Sequence, residues 1–139
     1  MSLSDDVKAA ARAIGFDTMK IAAPASPPRA SSFPAWLQQG KHGSMMWLAR
    51  DPERRLHPQN IMPDVRSILL FGRNYHQTLP HHILTDPSRG RIASYAWGRD
   101  YHKTLTSRLK KLAVEIERLA GRDIHARRYV DTGPLLEKP

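Results

Sequence analysis

Cysteine is absent from this sequence of 139 residues. Without thiolates the chain forms no disulfide, holds no iron–sulfur cluster on its own side chains and builds no thiolate zinc site. Long apolar runs are also missing: runs such as Ile68–Phe71 are far shorter than the ~20 residues that span a bilayer. The polar start, MSLSDDVKAA, shows no secretory signal. These absences predict a cytoplasmic protein with no membrane partner.

Familiar nucleotide and metal motifs are missing as well. Neither GxGxxG nor GxxxxGK occurs, which argues only weakly against nucleotide binding. Seven histidines are present, but no HExxH motif accompanies them. The adjacent His81 and His82 have no nearby acidic residues that would complete a ligand set. We therefore predict solvated histidines and no metal site.

Positive charge is in clear excess, with a net charge of +9. Residues 86–128 hold 11 Lys or Arg against 5 Asp or Glu, so this segment alone contributes +6. A basic surface built mostly from one region favours a polyanionic partner, with nucleic acid as the first candidate. The alternative is a solvated basic face with no partner.

Hydrophobic periodicity predicts an α/β or α+β domain with a small mixed sheet flanked by helices. Thr104–Ala120 is the strongest helix, because its leucines and isoleucine recur at helical spacing. Ser67–Gly72 is apolar on both faces and predicts a central strand. Weaker patterns predict a helix starting at Ser4 and short helices at Phe33–Gln39 and Ser44–Arg50. They also predict strands at Met19–Ala22 and Ala126–Asp131, a strand or an extended segment at Ile92–Ala96, and a loop at residues 77–90.

Asp131 is the first candidate functional residue. It ends a predicted strand just before Gly133 and Pro134 turn the chain, a position where α/β proteins place chemistry. Apolar neighbours would partly desolvate this carboxyl, and desolvation favours the protonated form that can donate a proton. The alternative, which the residues alone favour, is a turn in which the side chain binds its own backbone.

The segment SYAWGRDYH, residues 94–102, is the second candidate. Arg99 and the following Lys103 are suited to hold phosphates. The aromatic residues Tyr95, Trp97 and Tyr101 are suited to stack on a planar ring or a base. The alternative is aromatic packing beside a helix that Asp100 caps. Composition leaves these two interpretations evenly balanced.

Together these segments resemble one family. SYAWGRDYHKTLTSRLKKL, followed farther along by YVDTGPLLEKP, is similar to epoxyqueuosine reductase, the last enzyme of queuosine-tRNA biosynthesis. GKHGSMMWLAR and DPERRLHPQNIMPDVRSILLFGRNY also look like the amino-terminal region of that family. The resemblance covers nearly the whole sequence in the right order, and the GRDYH and VDTGP blocks together are specific.

The resemblance implies a cobalamin-dependent oxidoreductase that acts on an epoxide in the anticodon loop of tRNA. It implies that Asp131 is the catalytic proton donor and lies at the cofactor, that Arg55 contacts the corrinoid, and that Ala93 lines the cofactor through its backbone. The implied reaction is attack by reduced cobalamin on the epoxide carbon, or electron transfer to it, then loss of oxygen and protonation by Asp131 to give the alkene. The candidate substrate-binding residues are Arg99, Tyr101 and Lys103.

Members of this family continue beyond VDTGPLLEKP with a glycine-rich corrinoid-binding segment and a ferredoxin-like portion that carries two four-iron–four-sulfur clusters. This sequence contains neither. We therefore expect residues 1–139 to be an incomplete amino-terminal domain of this type, without the iron–sulfur domain, that depends on a reductant protein or a missing carboxy-terminal portion. The alternatives are a non-catalytic basic module that binds tRNA or other RNA, and an inactive remnant.

Overall fold

A computed structural model of the chain describes residues 2–136. Within them it forms six α-helices, two strands and two short 3-10 helices. The order is α1 (Leu3–Ile14), β1 (Thr18–Ala22), α2 (Ser32–Gln38), α3 (Met46–Ala49), α4 (Pro52–Leu56), a 3-10 helix (Pro58–Asn60), β2 (Ile68–Gly72), α5 (His81–Thr85), a second 3-10 helix (Ser94–Ala96) and α6 (Tyr101–Ala120). The predicted α+β class is confirmed.

The two strands form one antiparallel sheet. Next to it, the Asp17 amide donates to the Gly72 carbonyl at 3.0 Å. Glycine is needed at position 72, because an added Cβ would lie 2.6 Å from Cγ2 of Thr18. The sheet is smaller than the sequence predicts. Each strand is an edge strand in the described part of the chain, and β2 is only partly buried although its sequence is apolar on both faces.

The chain divides into two compact units. The first comprises the residues up to Met19 together with Phe71–Val130, and the second comprises Lys20–Leu70 and the described residues from Asp131 onward. The division falls within both strands. In the described residues, no helix combines the length and the apolar character needed to cross a membrane.

Helix α1 of the first unit has strong signals at both ends. Ser2 caps it: its hydroxyl accepts from the Asp5 amide at 3.3 Å, and the Asp5 carboxylate accepts from the Ser2 amide at 3.2 Å. The hydrogen bonds from the Ser2 hydroxyl and amide lower the pKa of Asp5. Gly15 ends the helix in the left-handed region at φ 101°. The predicted start at Ser4 is therefore wrong, because the capping box places the first turn earlier.

The core of the first unit lies between α1 and α6. Ala11, Phe16 and Leu112 are fully or almost fully buried, and the phenyl rings of Phe16 and Phe71 lie 4.8 Å apart. The apolar side of α6 packs against these residues with Leu105, Leu109 and Ile116. This is the side that the leucine spacing predicts.

The two ends of α6 are set by residues that the sequence indicated, Asp100 at the start and Gly121 at the end. The Asp100 side chain accepts from the His102 amide at 2.9 Å, and Gly121 ends the helix at φ 64°. Because Asp100 caps it, the helix begins at Tyr101 rather than at the predicted Thr104. The earlier start brings Lys103 into the first turn of the helix.

Two arginines of the first unit close the carboxyl end of α1. Arg108 donates to the Gly15 carbonyl at 2.8 Å, and Arg73 donates to the same oxygen at 3.2 Å. Arg73 also pairs with Asp17 at 3.1 Å. Cations at a helix carboxyl end satisfy free carbonyls and oppose the helix dipole. These contacts give Arg108 a role within the fold.

The second unit is built from short helices. Its buried apolar residues, among those described, are Phe33, Leu56, Pro58 and Ile61. Helix α4 begins at Pro52, and the side chain of Asp51 accepts from the Arg54 amide at 3.3 Å. The predicted short helices at Phe33–Gln39 and Ser44–Arg50 are confirmed as α2 and α3, the second of them shorter than expected.

Three further local predictions are wrong. Ile92–Ala96 contains a 3-10 turn instead of a strand, and Ala126–Asp131 forms no strand. The region 77–90 is not purely loop, because it contains α5. Both failed strands are short, and the second is interrupted by two adjacent arginines, so neither has the alternation that specifies a buried face.

Truncation of Leu112 tests the α1–α6 core. Leu112 is 1% exposed, so Leu112→Ala should lower the free energy of unfolding by about 2–5 kcal/mol. Val114 lies on the same helix but is 67% exposed, so Val114→Ala should change it by less than about 0.5 kcal/mol. Denaturant unfolding of both variants is the measurement. Equal effects would contradict the assigned core face.

Candidate active-site cleft

A cleft of about 440 Å³ opens in the second unit. Helix α3 supplies one part of its wall, helix α4 supplies another, and the segment after Val130 supplies the rest. Its size lies within the range of small-molecule sites. The residues that line it are Trp47, Leu48, Arg55, Asp131, Thr132, Gly133 and Leu135. Two residues that the sequence resemblance assigns to the cofactor, Arg55 and Asp131, therefore share one cleft.

Arg55 connects the three parts of this wall. Its guanidinium carbon lies 5.0 Å from the centre of the Trp47 ring, and its Nη2 donates to the Trp47 carbonyl at 3.4 Å. Its own carbonyl accepts from the Leu136 amide at 3.0 Å. The cation–π contact and the hydrogen bond limit the side-chain positions of Arg55. The backbone bond holds the segment from Asp131 to Leu136 beside α4.

Asp131 has an unusual backbone conformation, with φ at 57°. Among the described residues it is the one non-glycine with positive φ. Aspartate tolerates the left-handed region better than most residues do, but the conformation still carries strain of about 1 kcal/mol. Such strain is concentrated at functional sites, so it supports a specific role for this turn.

The carboxyl of Asp131 is exposed, and so is the neighbouring Thr132. The expectation that apolar neighbours desolvate this carboxyl is therefore wrong for the described residues. The predicted strand that would have brought Asp131 to a buried sheet edge is absent, which is the physical reason.

Ala93 lies in the first unit and is not among the residues that line the cleft. Its carbonyl accepts from the Ala96 amide at 2.9 Å, which closes the 3-10 turn. The Trp97 indole Nε1 donates to the Ile92 carbonyl at 2.9 Å and fixes the same turn. Ala93 is exposed, with its backbone positioned by these two bonds.

The three candidate substrate-binding residues also lie in the first unit. Tyr101 packs edge-on against Tyr95, with ring centres 6.2 Å apart, so aromatic packing describes part of its role. Arg99 is exposed in the loop before α6. Lys103 lies in a shallow depression along α6. None of the three is among the residues that line the Asp131 cleft.

Sequence reasoning missed Trp47 as a site residue. The available signal was the apolar run Met45–Leu48 in a segment too short to bury it, and Met46 and Trp47 are indeed exposed. Metal ligation by this cleft has no support: within residues 2–136, no group of three or more His, Asp or Glu side chains is arranged to hold an ion. The cleft offers an acid, a guanidinium and an aromatic wall.

Comparison with known proteins agrees with the resemblance found in the sequence. Residues 55–132 match the family described as "Epoxyqueuosine reductase QueG, DUF1730", which covers Arg55 and Asp131. A curated epoxyqueuosine reductase from Synechocystis sp. is 41% identical over 104 residues, covering 75% of this chain and 34% of the relative. One from Atelocyanobacterium thalassa is 34% identical over 141 residues, covering 99% of this chain and 44% of the relative.

The fold is also found in solved structures. A crystal structure of epoxyqueuosine reductase with a tRNA-Tyr epoxyqueuosine-modified stem loop superimposes with a TM-score of 0.74. It is 23% identical, and the match covers 96% of this chain and 36% of that one. The chain thus spans less than half the length of these relatives. Because the family match extends over more than half of this sequence, the chain belongs to the epoxyqueuosine reductase family.

Proposed function

We propose that this chain supplies the acid and the cofactor-contacting arginine of a reductase that converts epoxyqueuosine to queuosine in tRNA. The observation that carries the proposal is that Arg55 and Asp131, which lie far apart in the sequence, line one cleft. Residues 1–139 would then correspond to the amino-terminal domain of the longer relatives. A tRNA substrate is also consistent with a cytoplasmic reaction.

The cleft has the chemistry to hold part of a cobalamin. Trp47, Leu48 and Leu135 offer apolar surface to a macrocycle, and the guanidinium of Arg55 offers several donors to its amide and phosphate groups. A volume of about 440 Å³ accommodates only a portion of so large a cofactor. The cofactor contact through the backbone of Ala93, in the first unit, rests on the family resemblance alone. When bound, the cofactor supplies the reducing equivalents that cleave the epoxide.

Asp131 supplies a proton in this proposal. Reduction of an epoxide to an alkene consumes two electrons and two protons and releases the oxygen as water. The carboxyl of Asp131 donates one proton to the departing oxygen, and the second comes from water. Because Asp131 is exposed, its carboxylate is reprotonated from solvent between turnovers. Arg55 is fixed by Trp47 and holds the cofactor rather than moving a proton.

Iron–sulfur clusters do not fit this chain, since it contains no cysteine. No step through a cluster is assigned to it. The electrons are proposed to come from a reductant protein or from a carboxy-terminal portion outside this sequence. The solved neighbour with a bound tRNA stem loop supports tRNA as the substrate.

A second candidate function is a non-catalytic RNA-binding module, which the basic side of α6 favours. Cobalamin separates the two functions, because only the reductase requires a corrinoid contact in the Asp131 cleft. The two functions are also compatible in one protein. An RNA-binding surface on α6 would hold the substrate whose epoxide is reduced.

Asp131→Asn tests the proton donor. Asparagine tolerates the left-handed backbone and keeps the shape of the side chain but has no acidic proton. In the holoenzyme with its electron source, turnover of an epoxyqueuosine stem loop should fall about 10²–10⁴-fold, with unchanged cobalamin affinity. Asp123→Asn, which alters another exposed carboxyl, serves as the control. Wild-type turnover in Asp131→Asn would remove Asp131 from the mechanism.

Arg55→Met tests the cofactor contact without requiring turnover. Loss of a charged donor should weaken cobalamin binding about 10- to 100-fold, measured by titration of the chain with visible absorbance. The matched control is Arg54→Met on the same helix, because Arg54 instead lies 3.8 Å from Asp51 and does not line the cleft. Equal affinities in the two variants would contradict a corrinoid contact at Arg55.

A further inference from the structure

The outward side of α6 carries a second feature of defined chemistry. Lys103, Thr106, Ser107 and Lys110, with His102 at the helix start, line a shallow depression of about 390 Å³ in the first unit. Their spacing of three, one and three residues keeps them on one side of the helix, away from Leu109 and Leu112. We call Lys103, Thr106, Ser107 and Lys110 the lysine–hydroxyl face.

Two arginines and two lysines of α6 differ in their contacts. Arg108 points to the carbonyl of Gly15, and Arg118 pairs with Glu115 at 2.6 Å, which lowers the pKa of Glu115. Lys103 and Lys110 form no ion pair or side-chain hydrogen bond within residues 2–136. Both arginines therefore bind groups of this chain, whereas the charge of these two lysines is available to a partner.

Uncharged or acidic residues bound the lysine–hydroxyl face at both ends. On the same side, Val114 is exposed one turn beyond Lys110, and Glu117 brings a negative charge two turns beyond it. The basic part of this side is therefore confined to the first half of α6. Lys103 and Lys110 are separated by seven residues, or about 10 Å along the axis. At the other end, Asp100 is engaged in capping the helix and in a 3.3 Å contact with His102.

Two ammonium groups flanking two hydroxyls suit a chain of phosphates. Ammonium groups contribute charge, and hydroxyls donate hydrogen bonds to phosphate and ribose oxygens. None of these four side chains is aromatic, so nothing on the face is available to stack on a base. We infer that the lysine–hydroxyl face binds the sugar–phosphate backbone of an RNA hairpin, independently of base sequence. The inference rests on the proposed function, since it assigns the tRNA substrate a contact surface that shares no residue with the Asp131 cleft.

The salt dependence of RNA binding tests this inference. The probe is an unmodified RNA hairpin with the shape of an anticodon stem loop, titrated against the full chain at several salt concentrations. Lys103→Ala and Lys110→Ala should each reduce the slope of log K against log salt by about 0.7–0.9, the value for one phosphate contact. The matched control is Lys111→Ala, a lysine of the same helix outside the depression, which should leave the slope unchanged. Equal reductions in all three variants, or none, would overturn the inference.

Removal of the hydroxyls separates hydrogen bonding from general electrostatics. Thr106→Val with Ser107→Ala should weaken hairpin binding about fivefold to tenfold and leave the salt slope unchanged, because no charge is lost. Circular dichroism of the same protein checks that the helix is intact. Unchanged affinity in this variant would contradict a backbone contact that uses the hydroxyls.

Cobalamin titration of the lysine variants distinguishes the inference from the proposed function. The affinity for cobalamin should be unchanged in all of them, because the lysine–hydroxyl face and the cleft are lined by different residues. If the lysine variants bind cobalamin but show the wild-type salt slope for hairpin binding, the inference is overturned and the reductase proposal stands. Reduced slopes in a chain that does not bind cobalamin would support the inference and overturn the reductase proposal.

Discussion

The hydrogen bond from the Leu136 amide to the Arg55 carbonyl is the contact on which the candidate site depends. It joins the last described residue to helix α4 and so places the segment from Asp131 onward against the cleft wall. The guanidinium of Arg55 packs on the Trp47 ring. Arg55 therefore makes two contacts that shape the cleft. Its backbone carbonyl holds the segment that carries Asp131, and its side chain packs on Trp47.

Much of the first unit could be predicted from the sequence, because its signals are local. The repeat of leucines defined the buried side of α6, and Asp100 and Gly121 marked its ends. Gly15 likewise marked the end of α1. These features follow from side chains within one helical turn of each other. The strands at 92–96 and 126–131 could not be predicted correctly, since a strand depends on a partner that the local sequence does not specify.

The cleft illustrates the same difference between local and distant information. Spacing and composition alone favoured an ordinary turn at Asp131 and gave Arg55 no role; only the family resemblance paired them. Trp47 remained unnoticed because its importance comes from a contact with Arg55, eight residues away on the next helix. Exposure of Asp131 was also unpredictable, because it depends on how the preceding segment pairs rather than on its apolar neighbours.

The division of basic residues on α6 has a consequence for how the protein can change. Arg108 contacts the Gly15 carbonyl, whereas Lys103 and Lys110 face outward from the same helix. Substitutions on the outward side alter the electric field of the surface without disturbing the packing of α1 on α6. The helix can therefore vary its attraction for polyanions while its contribution to folding stays constant, so the two properties are free to evolve separately.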